Sequence, residues 1–313
     1  MNAGKKSTSL NPLVWIRRFM KRIIIPGFDG LPMYDVTVFF LKGITRGSIN
    51  NRASSLSFTF FLALFPTIIF FFTLIPYIPI HNFQDTLLQM MKDVFPEKAF
   101  AAAKSTLEDI IKRQHGGLLS VGFILALYFA TNGVNGVIEA FNSTYHTIET
   151  RSWIKQRLMS IFLVIVISLL IVIAIALITS GSALLKYLHL HHYLRSYFVF
   201  LLMNIINWIV IFLTIFCAIS FLYYYAPAKK ERFRFVSAGS SLATLLFVAT
   251  SLGFNFYVNN FAKYNALYGS IGTLIVVLMW IYINALIILL GFELNASIKT
   301  AKKHNNLKIN EKV

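Results

Sequence analysis

Residues 256–297 read FYVNNFAKYNALYGSIGTLIVVLMWIYINALIILLGFELNAS, and no charged side chain occurs within 264–292. A helix needs roughly 20 predominantly apolar residues to cross a hydrocarbon core, and residues 270–292 supply that length. Two side chains in this stretch, Asn284 and Glu293, are costly to place in lipid, so we expect them to face protein or a water-filled cleft. The stretch therefore predicts a membrane-spanning helix with a polar face.

The rest of the chain has the same apolar character. Hydrophobic residues make up 57% of the sequence and charged residues only 13%, which is too apolar for an ordinary soluble protein of 313 residues. The charge-free windows are 53–84, 114–138, 158–185, 196–228, 235–262 and 264–292. We therefore predict an all-α polytopic membrane protein with six transmembrane helices and further amphipathic interfacial or periplasmic helices.

The distribution of basic residues predicts the orientation of the chain. With a cytoplasmic N-terminus, 21 of the 29 Lys and Arg residues fall in cytoplasmic segments. This is the positive-inside bias, so we expect both termini to be cytoplasmic. Because the basic residues are dispersed over helix ends and form no single face, the net charge of +17 does not indicate a nucleic-acid partner.

These patterns divide the chain into three parts. The predicted parts are a basic cytoplasmic or interfacial segment (1–50), a six-helix transmembrane domain (51–298) and a basic cytoplasmic tail (299–313). The predicted spans are about 53–77, 118–140, 158–178, 197–223, 235–257 and 270–292. Residues 82–114 carry apolar side chains at helical spacing and are predicted to form an outer helical insert that caps the bundle or binds an envelope partner.

The second predicted span carries a polar face and a small-residue face. Asn132, Asn135, Glu139 and Asn142 lie within about 80° of each other on a helix that turns 100° per residue, which indicates a polar site or a set of interhelical hydrogen bonds. Small residues recur three or four positions apart at Gly122, Ala126, Ala130 and Gly133, a spacing that permits close contact with a neighbouring helix. The two carboxylates near span ends, Glu139 and Glu293, are placed to form ion pairs with Arg52 or Arg157.

Three blocks of the sequence resemble the YihY/BrkB family of bacterial inner-membrane proteins, which also carries an old ribonuclease BN label. The blocks are RASSLSFTFFLALFP (52–66), ATNGVNGVIEAFNSTY (130–145) and residues 251–297. The last block is similar to the family pattern YNxxYGSxG, W(I/L)Y and LLGAELNA. Phe292 departs from that pattern because it stands where a small residue is common, so we expect it to narrow the space beside Glu293.

The resemblance implies a multi-pass protein of the bacterial inner (plasma) membrane, in a family linked to cell-envelope integrity, serum resistance and lipid export. Our leading hypothesis is that the protein moves a lipid or amphiphile across or out of the membrane, with membrane lipids as its partners. The alternatives are a non-transporting scaffold for envelope machinery and, less favoured, a channel. We expect no enzymatic activity, no cofactor and no metal, because the seven histidines form no HxHxDH run for a metal-dependent nuclease.

The hypothesis also uses a predicted polar turn on the outer side of the bundle, around residues 259–268, opposite the inner polar cluster. Polar groups at both ends of a bundle can line a path for a headgroup while the acyl chains remain in lipid. The candidate substrate-path residues are Arg52, Asn132, Asn135, Glu139, Asn142, Arg157, Asn259, Tyr264, Asn265, Tyr268, Asn284, Glu293 and Asn295.

Overall fold

The computed structural model describes residues 12–77, 84–85, 88, 104–105, 108–109, 111–114, 116–144, 147–148, 151–190, 196–228, 234–261 and 270–310. The helices named here are α1 (Pro12–Arg22), α2 (Met33–Arg46), α3 (Ile49–Leu74), α4 (Gly116–Asn142), α5 (Trp153–Leu190), α6 (Ser196–Tyr225), α7 (Ala238–Phe261) and α8 (Ser270–Asn310). A 3-10 turn (Ile75–Tyr77) follows α3, and a two-residue antiparallel hairpin, Ser143–Thr144 with Thr147–Ile148, follows α4.

Six of these helices, α3 to α8, are long and apolar enough to cross a membrane. Their outward faces carry many exposed large apolar side chains, for example Ile165, Leu169 and Val172 on α5. Such faces are unfavourable in water but suit contact with acyl chains. The prediction of an all-α fold with six membrane-spanning helices is confirmed.

Glycines on α4 allow it to pack closely against α3. A β carbon added to Gly133 would lie 2.8 Å from the ring of Phe60, and one added to Gly122 would lie 3.4 Å from the backbone of Phe70. A β carbon at Gly133 would require the Phe60 ring to move, whereas one at Gly122 would make an ordinary contact with the backbone of α3. The close helix contact expected from the small-residue spacing is therefore present, with α3 as the neighbour.

A second close crossing joins α7 to α8. A β carbon on Gly291 would lie 2.6 Å from the carbonyl oxygen of Gly239 and would overlap the hydroxyl of Tyr223. That hydroxyl donates a hydrogen bond to the carbonyl of Ile288 (2.7 Å). The backbones of α7 and α8 therefore approach each other directly, which only residues without a β carbon allow.

Aromatic side chains fill the centre of the bundle between α4, α6 and α8. The ring of Phe292 stacks on that of Phe141 with centroids 4.1 Å apart, and Tyr223 meets Phe292 at 5.8 Å and a steep angle. All three side chains are buried. At the position where the family pattern has a small residue, this chain therefore places a ring that packs α8 against α4.

The segment before the first span packs on the far end of α8. Phe28, Leu31 and Val36 form a small apolar core with Leu294 and Ile298. The intervening loop turns sharply at Gly27, Asp29 and Gly30, which all have positive φ angles. The helix α8 continues to Asn310, so the predicted basic tail (299–313) is helical for most of its length.

The predicted outer insert lies for the most part outside the described residues. Its described parts are joined by an ion pair between Lys112 Nζ and Asp85 Oδ1 at 2.7 Å. The hydrogen bond with Asp85 raises the pKa of Lys112 above its ordinary value. Gln84 is joined to the end of the first span through a 3.2 Å hydrogen bond to the carbonyl of Ile75.

Candidate functional site

A polar cleft of about 390 Å³ lies between α3 and α4. We call it the α3–α4 cleft. Its α3 wall comprises Arg52, Ser55, Leu56 and Thr59, and its α4 wall comprises Asn132, Asn135, Gly136, Glu139 and Ala140, with Ser143 just beyond. It lies at the end of the bundle where α3 begins and α4 ends, and we call this the polar end. The cleft brings together four of the candidate residues, Arg52, Asn132, Asn135 and Glu139.

The α4 wall of the cleft is held together by side-chain hydrogen bonds. Asn135 and Glu139 are four residues apart, so they share one face of α4, and Asn135 Nδ2 donates to Glu139 Oε1 at 2.8 Å. Gln156 Nε2, from α5, donates to Asn135 Oδ1 at 2.9 Å and to Glu139 Oε1 at 3.1 Å. The three side chains form one network across α4 and α5.

Arg52 forms the deep wall of the cleft. Its Nη1 donates a 2.6 Å hydrogen bond to the carbonyl of Ala140, and its Nη2 lies 3.6 Å from Glu293 Oε2. The ion pair between Arg52 and Glu293 that the sequence suggested is therefore present. Arg52 Nε is buried and has no hydrogen-bond acceptor among the described residues. Arg52 therefore lines the cleft and holds an unsatisfied donor beneath its surface.

Glu293 is enclosed by α2 as well as by Arg52. A β carbon on Gly43 would overlap the carboxylate of Glu293 and would lie 2.8 Å from its Cγ. The glycine therefore allows α2 to lie directly against the acidic residue of α8. This contact closes the side of Glu293 that faces away from the α3–α4 cleft, so Arg52 separates Glu293 from the cleft.

Arg157 and Glu139 do not form the ion pair expected of them. Arg157 Nη1 donates to Asn132 Oδ1 at 2.7 Å, and its guanidinium lies 5.2 Å from the centre of the Tyr128 ring. Glu139 makes the hydrogen bonds described above and no ion pair with any residue that the structure describes. The reason is geometric, because Asn132 lies two helical turns, or about 10 Å, from Glu139.

Three other candidate residues make structural contacts away from the cleft. Asn142 Oδ1 accepts a 2.8 Å hydrogen bond from the backbone of Ala228, so it ties α4 to the segment after α6. Asn295 accepts from the backbone of Gly239 at 2.8 Å and donates to Ser237 Oγ at 2.9 Å. Asn284 Nδ2 donates to the carbonyl of Trp280 in its own helix at 2.8 Å. Asn142 and Asn295 therefore do not line the cleft, and a role for them in a substrate path stays a prediction.

The outer polar turn is not described by the structure. Tyr264, Asn265 and Tyr268 lie outside the described residues, and Asn259 is described only as a helical residue near the end of α7. The proposed role of these four residues as an outer part of the path stays a prediction.

Two residues that matter at the polar end were not singled out from the sequence. Gln156 lies in the first turn of α5, between Lys155 and Arg157. An uncharged polar side chain among cations could have been recognised as a candidate for a hydrogen bond to α4. Gly43 lies in the last turn of the amphipathic helix α2, and glycine within a helix is unfavourable unless another group approaches closely.

Arg151 closes the same end of the bundle at the end of α6. Its guanidinium donates to the carbonyls of Tyr225, at 3.4 Å, and of Pro227. Burial lowers the pKa of Arg151 from its ordinary value. A cation here also suits the negative end of the α6 dipole. Within the part of the chain that the structure describes, no three His, Cys, Asp or Glu side chains are grouped to hold a metal ion.

Comparison with known proteins agrees with the architecture. Residues 40–312 match the family described as virulence factor BrkB. The ribonuclease-like protein YfkH of Bacillus subtilis (strain 168) is 37% identical over 81% of this chain and 91% of its own length. A UPF0761 membrane protein of Vibrio campbellii (strain ATCC BAA-1116) is 24% identical over 83% of this chain and 81% of its own. No solved structure matches the chain significantly.

Proposed function

Because the chain belongs to the virulence factor BrkB family of membrane proteins, we propose that it moves a lipid or similar amphiphile across or out of a bacterial inner membrane. In this proposal both termini are cytoplasmic, and the headgroup enters the α3–α4 cleft. The observation that supports it best is the position of Arg52, a largely buried guanidinium that lines the cleft and whose Nε has no hydrogen-bond acceptor among the described residues.

The chemistry of Arg52 suits a phosphate or carboxylate headgroup. A guanidinium offers five N–H donors in a planar fork that matches two oxygens of such an anion. In Arg52 one strong hydrogen bond goes to Ala140, and the contact with Glu293, at 3.6 Å, is longer than a charge-assisted hydrogen bond. A headgroup oxygen could therefore bind Arg52 without breaking its best existing contact.

The faces of both helices change from polar to apolar along their length. On α3 the stripe that begins at Ser55 continues with exposed Phe58 and Leu62. On α4 the stripe of Asn135 and Asn132 continues with exposed Tyr128 and, one turn further, Leu125. Positions three and four apart lie on one helix face. An amphiphile could thus place its headgroup among the polar residues and its acyl chains along the apolar ones.

The source of energy is constrained by the sequence. The chain contains no GxxxxGK[ST] loop that would bind the phosphates of a nucleoside triphosphate. In this proposal the direction of movement is therefore set by a gradient, a partner protein or consumption of the lipid.

The direct test is exchange of a fluorescent phospholipid between the leaflets of liposomes that contain the purified protein. We expect the native protein to accelerate exchange and Arg52→Gln to slow it by about tenfold, the effect of one lost charge-assisted hydrogen bond. Lys303→Gln, which removes an exposed cation of α8, serves as a matched control and should exchange lipid at the native rate.

The Arg52→Gln/Glu293→Gln double variant separates binding from folding, because it removes both charges of the pair and leaves neither unpaired. It should fold and exchange lipid as slowly as Arg52→Gln does. If the native protein moves no lipid, the translocator proposal is wrong and a scaffold role is favoured. If Arg52→Gln exchanges lipid at the native rate, the cleft is not the headgroup site.

A further inference from the structure

A second cavity, of about 260 Å³, lies at the polar end between the Gly27–Gly30 loop, the start of α7 and residues 295–302 of α8. We call it the basic pocket. Among the described residues, three cations line it, Arg234, Lys299 and Lys302, together with one carboxylate, Asp29. Lys302 is nine residues beyond Glu293, which places it about 13 Å further along α8. The pocket shares no lining residue with the α3–α4 cleft and is distinct from it.

Asp29 holds two of these cations in place. Its Oδ2 is 2.8 Å from Lys302 Nζ, and its Oδ1 is 3.7 Å from Arg234 Nη1. The carboxylate thus lies between cations from two distant parts of the chain, as a bound anion would.

The loop that carries Asp29 is rigidly built. Asp29 has a φ of 52°, in the left-handed region that few side chains adopt, between Gly27 at 95° and Gly30 at 78°. Buried Phe28 and Leu31 anchor the loop in the small core against α8. Such a conformation persists only where its surroundings enforce it, and strain of this kind clusters at ligand sites.

The N-terminus of α7 adds to the positive field. Ser237 caps this helix by accepting from the backbone of Ser240 at 3.1 Å, and both Ser237 and Ala238 line the pocket. Backbone N–H groups at a helix start favour an anion nearby. The field of the helix therefore has the same sign as that of the three side chains.

We propose that the basic pocket binds a phosphate group, either of an anionic phospholipid headgroup or of a soluble ion, with Arg234 and Lys302 exchanging Asp29 for the phosphate oxygens. Asp29 then acts as an internal competitor that sets the affinity of the pocket. Basic pockets between membrane helices near the headgroup level are suited to anionic lipid recognition.

The experiment measures binding of dioctanoyl phosphatidylglycerol, dioctanoyl phosphatidylcholine and inorganic phosphate to the purified full-length protein in detergent. All proteins compared, including the reference, carry Arg52→Gln with Glu293→Gln, the neutral pair that leaves no buried charge unpaired, so that the α3–α4 cleft contributes little to the signal. We expect phosphatidylglycerol or phosphate to bind, and Lys302→Ala and Arg234→Ala each to weaken binding by about tenfold. Lys303→Ala, the neighbouring cation that does not line the pocket, should bind normally.

Asp29→Asn gives a result that misfolding cannot imitate. Asparagine tolerates the left-handed conformation, and the change removes the competing charge, so binding should become several-fold tighter. Binding of phosphatidylglycerol alone assigns the pocket to lipid, and binding of inorganic phosphate assigns it to a soluble ion. The proposal fails if neither phosphatidylglycerol nor inorganic phosphate binds. It also fails if Lys303→Ala weakens binding as much as Lys302→Ala does, or if Asp29→Asn weakens binding.

Discussion

The guanidinium of Arg52 lies 3.6 Å from the carboxylate of Glu293 (Nη2 to Oε2), with only 12% and 1% of the two side chains exposed. The pair joins the first turn of α3 to α8. Each charge is expensive to bury alone, and each offsets the cost of the other. The pair therefore fixes how α3 meets α8 while it holds Arg52 at the wall of the cleft.

Glu293→Gln should destabilise the protein by about 3 kcal/mol, because it leaves the Arg52 charge buried without its carboxylate. Adding Arg52→Gln should restore part of the loss, since a neutral pair leaves no uncompensated charge. Thermal unfolding of the purified variants measures both effects. Arg52→Gln alone completes the double-mutant cycle, and if the losses of the two single variants simply add in the double variant, the two side chains are not energetically coupled.

Gly43→Ala should destabilise the protein by about 1–3 kcal/mol, the usual cost of forcing an extra carbon into a packed site. The new β carbon would overlap the Glu293 carboxylate, which its pairing with Arg52 prevents from moving away freely. The matched control is Gly253→Ala in α7, where no atom lies within 4 Å of the added carbon. That change should be neutral or slightly stabilising, because alanine favours helix. Equal melting temperatures for the two variants would contradict the close contact.

The fold could be predicted from the sequence because lipid imposes simple rules. Length and absence of charge suffice to identify a spanning helix, and small residues such as Gly122 and Gly133 mark where two helices meet. The packing of the 23–36 segment on α8 was not predictable. It depends on left-handed turns at Gly27 and Asp29 and on buried Phe28, none of which shows a periodic pattern.

The site could be predicted only in part, because helix periodicity gives a direction and not a partner. It placed Asn135 and Glu139 on one face, and the structure places both in the cleft. Asn142 lies at the edge of the same 80° sector of the helix face. Because it is the last residue of α4, its side chain accepts a hydrogen bond from the backbone of Ala228 instead. Gln156 is in another helix, so no analysis of α4 alone could find it.

Asn295→Ala should cost about 1–3 kcal/mol of stability, because it leaves the buried backbone N–H of Gly239 without an acceptor. Asn284→Ala, in the same helix, is the matched control. Asn284 bonds only a carbonyl of its own helix among the described residues, so its loss leaves no new unsatisfied donor and should be nearly neutral. Thermal unfolding compares the two, and a larger loss for Asn284→Ala would contradict a structural role for Asn295.

The proposed orientation can be tested by thiol labelling of intact cells. Cys217 is the only cysteine, so replacing it with serine gives a clean background. A cysteine at Lys303 should react with a membrane-impermeant reagent only after the cells are permeabilised, because the positive-inside bias places this end in the cytoplasm. A cysteine at Lys112, before α4, should react in intact cells. If the cysteine at 303 reacts in intact cells and the one at 112 does not, the orientation is the reverse of the one proposed.

Asn135→Ala and Glu139→Gln should each impair envelope function without lowering protein abundance. Both side chains line the cleft, and Glu139 is exposed, so neither change leaves a buried group without a partner. Loss of one hydrogen bond to a headgroup should slow lipid exchange about tenfold. Asn51→Ala, an exposed position next to Arg52 that does not line the cleft, is the matched control. Complementation of a deletion strain, with protein quantified by immunoblot, gives the readout. If both cleft variants complement fully, the network of Asn135, Glu139 and Gln156 only joins α4 to α5.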